Sequence, residues 1–190
     1  LRGTPGREMI SISNRQRARK VDLAWLKNIT AAALAELKIQ HSELGIVLVG
    51  AKEMASLNEK FLGHGGATDV ITFDYLEPVQ GRDAALRRQR RNSVVGRSNA
   101  KVPPAIRAET SQRDVPTTIH GEIFICVPEA ERQAKLFGTD RRSEVVRYVV
   151  HGILHLLGHD DLQALARKIM KREEDRLVRE VSRRFALSKL

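Results

Sequence analysis

HGILHLLGHDD, residues His151–Asp161, holds three of the six histidines in a 190-residue chain. His151 and His155 stand four apart, the spacing at which helix side chains are neighbours, roughly 5–6 Å apart at Cβ. Two imidazoles so placed can share one metal ion, each bond being about 2.0–2.1 Å for zinc. A continuing helix cannot supply a third ligand from its next turn and keep tetrahedral angles. Gly158 is a helix-ending residue, so the chain can turn and return a side chain to the ion. His159, Asp160 and Asp161 are the candidates for that third ligand.

The flanking residues support a helix here. At about 100° per residue, Glu144, Arg147, His151, His155 and Gly158 fall near one line. Val145, Val146, Val149, Val150, Ile153, Leu156 and Leu157 occupy the rest of the surface. A polar stripe on an otherwise apolar helix needs a ligand or hydrogen bonds, because burying imidazoles without partners costs free energy. The pattern favours a metal site over a pair of hydrogen-bonded core histidines. It is not the metalloprotease HExxH motif, since Gly152 follows the first histidine where that motif has its general base.

The remaining elements surround this helix. Thr139 or Asp140 caps its start, and a final helix is predicted over 162–185, with Leu162, Leu165, Ile169, Leu177 and Val181 inward. Upstream, strands are predicted at 8–13, 44–50, 69–75 and 119–127. Helices are predicted at 21–39, at 52–61 with Gly63 as its stop, and from Pro128 to about Phe137 with Gly138 as its stop. Helices and strands mix without strict alternation. The expectation is a single α+β domain over 8–185, with a small mixed four-stranded sheet and about five helices. The metal-binding helix lies in its C-terminal part.

Charge adds a partner class. Lys and Arg number 33 against 23 Asp and Glu, a net charge of +10. Such a chain attracts polyanions, of which nucleic acid is the commonest in the cytosol. Residues 77–118 hold nine basic residues against four acidic ones and no aromatic side chain, so +5 of that charge lies in this segment. It reads as an inserted, disordered basic loop, serving either RNA phosphate contacts or no function beyond linkage. No apolar run reaches the roughly 18 residues of a membrane span, and Leu1–Arg7 is polar. With Cys126 as the single cysteine, a cytoplasmic chain without disulfides is expected.

Several segments together resemble the YbeY family of bacterial ribosomal RNA maturation endoribonucleases. The family's zinc motif, HGxLHLxGxDH, is matched by HGILHLLGHDD. TDVITF (Thr68–Phe73) resembles its TDVLSF strand, Leu57-Asn58 its preceding LN, and GEIFICVP (Gly121–Pro128) its GDIxIxxP segment. The resemblance implies single-strand-specific RNA cleavage in 16S rRNA 3′-end maturation and ribosome quality control, with one Zn2+. Its implied partners are small-subunit rRNA, the ribosome and assembly proteins. The ligand set it implies is His151, His155 and Asp161, where the family usually has a third histidine; His159 is the competing third ligand. Leu62 stands where the family's LNxxYR stretch commonly has an arginine held to assist catalysis. Glu122 and Arg147 are candidate catalytic helpers, Arg147 either on a phosphate or paired with Glu144, and Asp69, Glu144 and Asp160 are candidate bases or supports of the ligands. The rival reading is a non-hydrolytic ribosome-assembly factor whose zinc is structural or vestigial.

Overall fold

β-branched runs make the strands, and glycines punctuate the helices between them. The computed structural model describes residues 8–76 and 118–185. Along the chain lie β1 (Glu8–Asn14), α1 (Leu23–Glu36), β2 (His41–Val49), α2 (Ala51–Leu62) and β3 (Val70–Asp74). Then follow β4 (Thr118–Cys126), α3 (Val127–Phe137), α4 (Arg141–Leu156) and α5 (Ala164–Phe185). Apart from Thr118, the basic insertion expected at 77–118 lies outside the described residues.

The four strands form one mixed sheet in the order β1-β2-β4-β3, parallel except for the antiparallel β3–β4 pair. Alternation gives the sheet two unlike faces. Leu44, Ile46 and Leu48 of β2, with Ile119, Ile123 and Ile125 of β4, join the main core beneath α1, α4 and α5. Val47, Val49, Phe124 and Cys126 face the other way, against Met54, Leu57 and Leu62 of α2. The architecture is α+β, with five helices among the described residues. No helix among them is long and apolar enough to cross a membrane.

Of the two expected caps on α4, the Asp140 side chain accepts from the Arg142 N–H. The Thr139 hydroxyl instead donates to Glu144 Oε1 at 2.7 Å. Two glycines then let α4 settle on β4. A Cβ added at Gly152 would meet Ile123 Cγ2 at 2.7 Å, and one at Gly121 would strike Leu156 and the Phe73 carbonyl. Since Gly152 lies over Ile123 and Leu156 over Gly121, α4 runs antiparallel to β4. Its histidine-bearing end therefore sits at the start of β4. That is also where Leu76 and Thr118 bound the insertion, because the Tyr75 N–H donates to the His120 carbonyl at 2.8 Å.

The final helix differs from expectation on its inward face. It begins at Ala164, and its buried line is Met170, Glu174, Leu177 and Val181. Leu162, Leu165 and Ile169, expected inward, are 53%, 65% and 45% exposed. Ile169 is one residue, about 100°, off the Met170 line. Leu177 and Val181 are buried as expected, but apolar periodicity misses the N-terminal half of the line, where a carboxylate, Glu174, interrupts it.

Candidate metal centre

The site begins with how α4 stops. Gly158, at φ +86°, adopts the left-handed conformation that favours glycine. Its N–H donates to the His155 carbonyl, and the His159 N–H reaches back to the Leu154 carbonyl. These are the paired bonds of a Schellman termination. The turn brings the next residues back beside the last helical turn. There the His159 carbonyl accepts from His155 Nδ1 at 3.1 Å, while Asp160 Oδ1 accepts from the Leu162 N–H and shapes the approach to α5.

Ligand atoms of His151, His155 and Asp161 then lie within 4.8 Å of one another. That spacing lets bonds of about 2.0–2.2 Å converge on one ion after small side-chain rotations. The hydrogen bonds make the case sharper. His151 Nδ1 faces Glu174 Oε2 at 2.9 Å, and His155 Nδ1 faces a carbonyl. Both acceptors lack a proton to give, so both Nδ1 atoms are N–H donors. The two Nε2 atoms consequently present lone pairs to each other, 3.0 Å apart. Only a positive charge between them, a shared proton or a cation, makes that arrangement favourable. Asp161 Oδ1 is buried with no hydrogen-bond partner among the described residues. Two facing lone pairs and an orphaned carboxylate oxygen could together hold a cation.

Electrostatics keep the donors ready. Burial, then the neighbouring His151, press His155 down to about 4, partly opposed by Asp161. The ring is thus neutral and able to bind metal at physiological pH. Burial would push the Glu174 carboxyl up, but hydrogen bonds from His151, Lys171 and Arg147 outweigh it and bring Glu174 down to about 2.

Other residues singled out in the sequence end up elsewhere. The His159 imidazole is not in the three-residue group; burial lowers its pKa, with Glu173 opposing. Glu122 is not brought to the site either. It lies between Gly121 and Ile123, which face α4, so it points through the sheet, where its Oε2 accepts from the Tyr75 hydroxyl at 2.7 Å. The reason is strand parity: adjacent residues of β4 face opposite sides. Arg147 is bound, but not by Glu144; its Nη1 meets Glu174 Oε1 at 2.5 Å and Asp175 Oδ1 at 2.7 Å. Asp69 Oδ1 accepts from Val70 N–H and the Thr68 hydroxyl, a strand-end role. Leu62 packs on the α2-side apolar cluster. Sequence reasoning missed Glu174, Lys171 and Asp175, although a carboxylate on the Met170–Leu177–Val181 line was a detectable signal.

Fold and site together define an α+β domain with a His–His–carboxylate group suited to one divalent ion, as in metal-dependent hydrolases. Comparison with known proteins narrows the class. The family model for endoribonuclease YbeY matches residues 11–182, and the chain belongs to that family of RNA-cleaving hydrolases. Endoribonuclease YbeY of Dehalococcoides mccartyi is 31% identical over 157 residues, covering 82% of this chain and 78% of that protein. Its counterpart in Cutibacterium acnes is 30% identical, over 80% of this chain and 81% of that protein. A solution structure of a Thermotoga maritima protein shares the fold, with a TM-score of 0.56 and 23% identity over 95% of this chain and 94% of that one.

Proposed function

We propose that the chain is a zinc-dependent, single-strand-specific endoribonuclease acting in 16S rRNA 3′-end maturation and ribosome quality control. The observation that carries the metal reading is the pair of opposed Nε2 lone pairs, 3.0 Å apart beside the unpartnered Asp161 oxygen. His151, His155 and Asp161 hold the ion in this reading. Zinc held by these residues would supply Lewis acidity, lowering the pKa of water towards about 7 and neutralising charge on a phosphodiester. The chain's own contribution is orientation. The His159 carbonyl aims His155, Glu174 takes the His151 Nδ1 proton as a hydrogen bond, and burial keeps His155 unprotonated.

RNA as substrate agrees with the family and with the net charge of +10. In this reading residues 8–185 are one catalytic domain in the cytoplasm, and the basic 77–118 insertion, tethered at the same end of the sheet as the metal centre, contributes phosphate contacts. Small-subunit rRNA, the ribosome and assembly proteins are its partners. Elemental analysis of protein purified with metal, plus cleavage of single-stranded RNA by the wild type and His155→Ala, tests the proposal. One bound zinc and cleavage lost in the variant are expected. Equal cleavage by both proteins, once contaminating nucleases are removed, eliminates it.

A second reading is favoured by Leu62, which sits in an apolar cluster with no cation at the position where the resemblance expects arginine. It is a non-hydrolytic ribosome-assembly factor with a structural or vestigial zinc. Zinc-replete protein that binds rRNA but leaves it uncut supports that reading over the first.

A further inference from the structure

We infer that Glu174 is a positioning residue that fixes the His151 tautomer, so that the Nε2 lone pair is presented to the metal. The inference rests on His151 being a ligand, as proposed above. Glu174 is a charged residue on the buried line of α5, with its side chain 7% exposed. Its two oxygens are divided. Oε1 receives Arg147 Nη1 at 2.5 Å and Lys171 Nζ at 2.7 Å, leaving Oε2 for His151 Nδ1 at 2.9 Å.

The cluster's other charges pair off without the His151 ring. Asp175 Oδ1 also meets Arg147 and Lys171, at 2.7 Å and 3.2 Å. Two cations thus face two carboxylates, and Glu174 is held by Arg147 and Lys171 independently of the ring. Glu174's ion pairs contribute stability, but well-packed apolar residues in place of the whole network often match it, so stability by itself does not explain a carboxylate here. Metal ligation does: a carboxylate behind a ligating imidazole sets its tautomer and orientation. Arg147 accordingly acts through Glu174, holding it in place, rather than on a phosphate.

Glu174→Gln separates positioning from mere support. Arg147 and Lys171 both donate and claim the amide oxygen, so the amide NH2 faces His151 Nδ1. The ring must then accept at Nδ1 and carry its proton on Nε2, the atom the metal needs. The experiment combines 15N NMR of the His151 ring in metal-free protein with zinc titration against a chromophoric chelator, foldedness being followed by circular dichroism. Expected are an Nδ1–H tautomer in the wild type, an Nε2–H tautomer in Glu174→Gln, and about 10–100-fold weaker zinc binding in the variant. A wild-type His151 ring without a proton on Nδ1 overturns the inference, whether or not the variant folds. Zinc affinity within twofold of wild type in a folded Glu174→Gln overturns it too, while leaving the metal centre standing. A wild type that binds no zinc removes the metal centre, and this inference with it.

Discussion

Replacing Gly152 with alanine tests how α4 is seated, and the structure sets both sign and size. The new methyl would lie 2.7, 2.8 and 3.0 Å from Ile123 Cγ2, Cδ1 and Cγ1, against an optimum near 3.5–4.0 Å. Ile123 is wholly buried, and a β-branched side chain has few rotamers to escape into. Overpacking of this kind costs about 1–3 kcal/mol. The better helix propensity of alanine returns about 1 kcal/mol. Gly152→Ala should therefore destabilise by up to about 2 kcal/mol in urea denaturation of metal-free protein. The three nearest atoms all belong to Ile123 beyond Cβ, so Ile123→Ala removes the closest contacts. That variant alone should cost about 2–5 kcal/mol, but adding Gly152→Ala to it should be neutral or stabilising by up to about 1 kcal/mol. The coupling between the two sites is then about 2 kcal/mol, well above the error of a double-mutant cycle. Equal costs for Gly152→Ala in both backgrounds would refute the close approach of α4 to β4.

The other predictions concern charge and metal. Asp161→Ala should stabilise metal-free protein by about 1 kcal/mol, because it removes a buried oxygen without a partner; it should also abolish the rise in melting temperature that zinc gives the wild type. A metal-free variant less stable than wild type in calorimetry contradicts that reading. Asp161→His should keep or strengthen zinc binding, and loss of metal from this variant would mean the third ligand was misassigned. Glu174, near 2 in the folded protein against an ordinary 4.5, supplies stability that is present above about pH 4.5 and lost as pH falls towards 2. The loss is about 3 kcal/mol, read as a wild-type advantage over Glu174→Gln in urea at pH 6 that shrinks near pH 2.5. Deleting 77–117 should preserve zinc content while weakening RNA binding and flattening its dependence on salt; unchanged affinity at every salt concentration would make the segment a bystander.

Much of this molecule was legible from local pattern. Four-residue spacing put His151 and His155 on one helix face, and Gly158 marked the turn that follows, because both are consequences of backbone geometry within a few residues. Strand and helix types followed from the same short-range periodicities, and the α+β class from their order. The choice among His159, Asp160 and Asp161 did not, since it depends on where a loop returns after a Schellman turn. Glu122 fell on the far face because α4 packed on the side of β4 that carries Gly121 and Ile123. Arg147 met Glu174 and Asp175, 27 and 28 residues away, rather than its helix neighbour Glu144. Glu174 itself acquired its place behind His151 only when α5 packed on α4. Helical spacing is set within one turn of chain, whereas the partner of a side chain is set by which helix comes to lie against it.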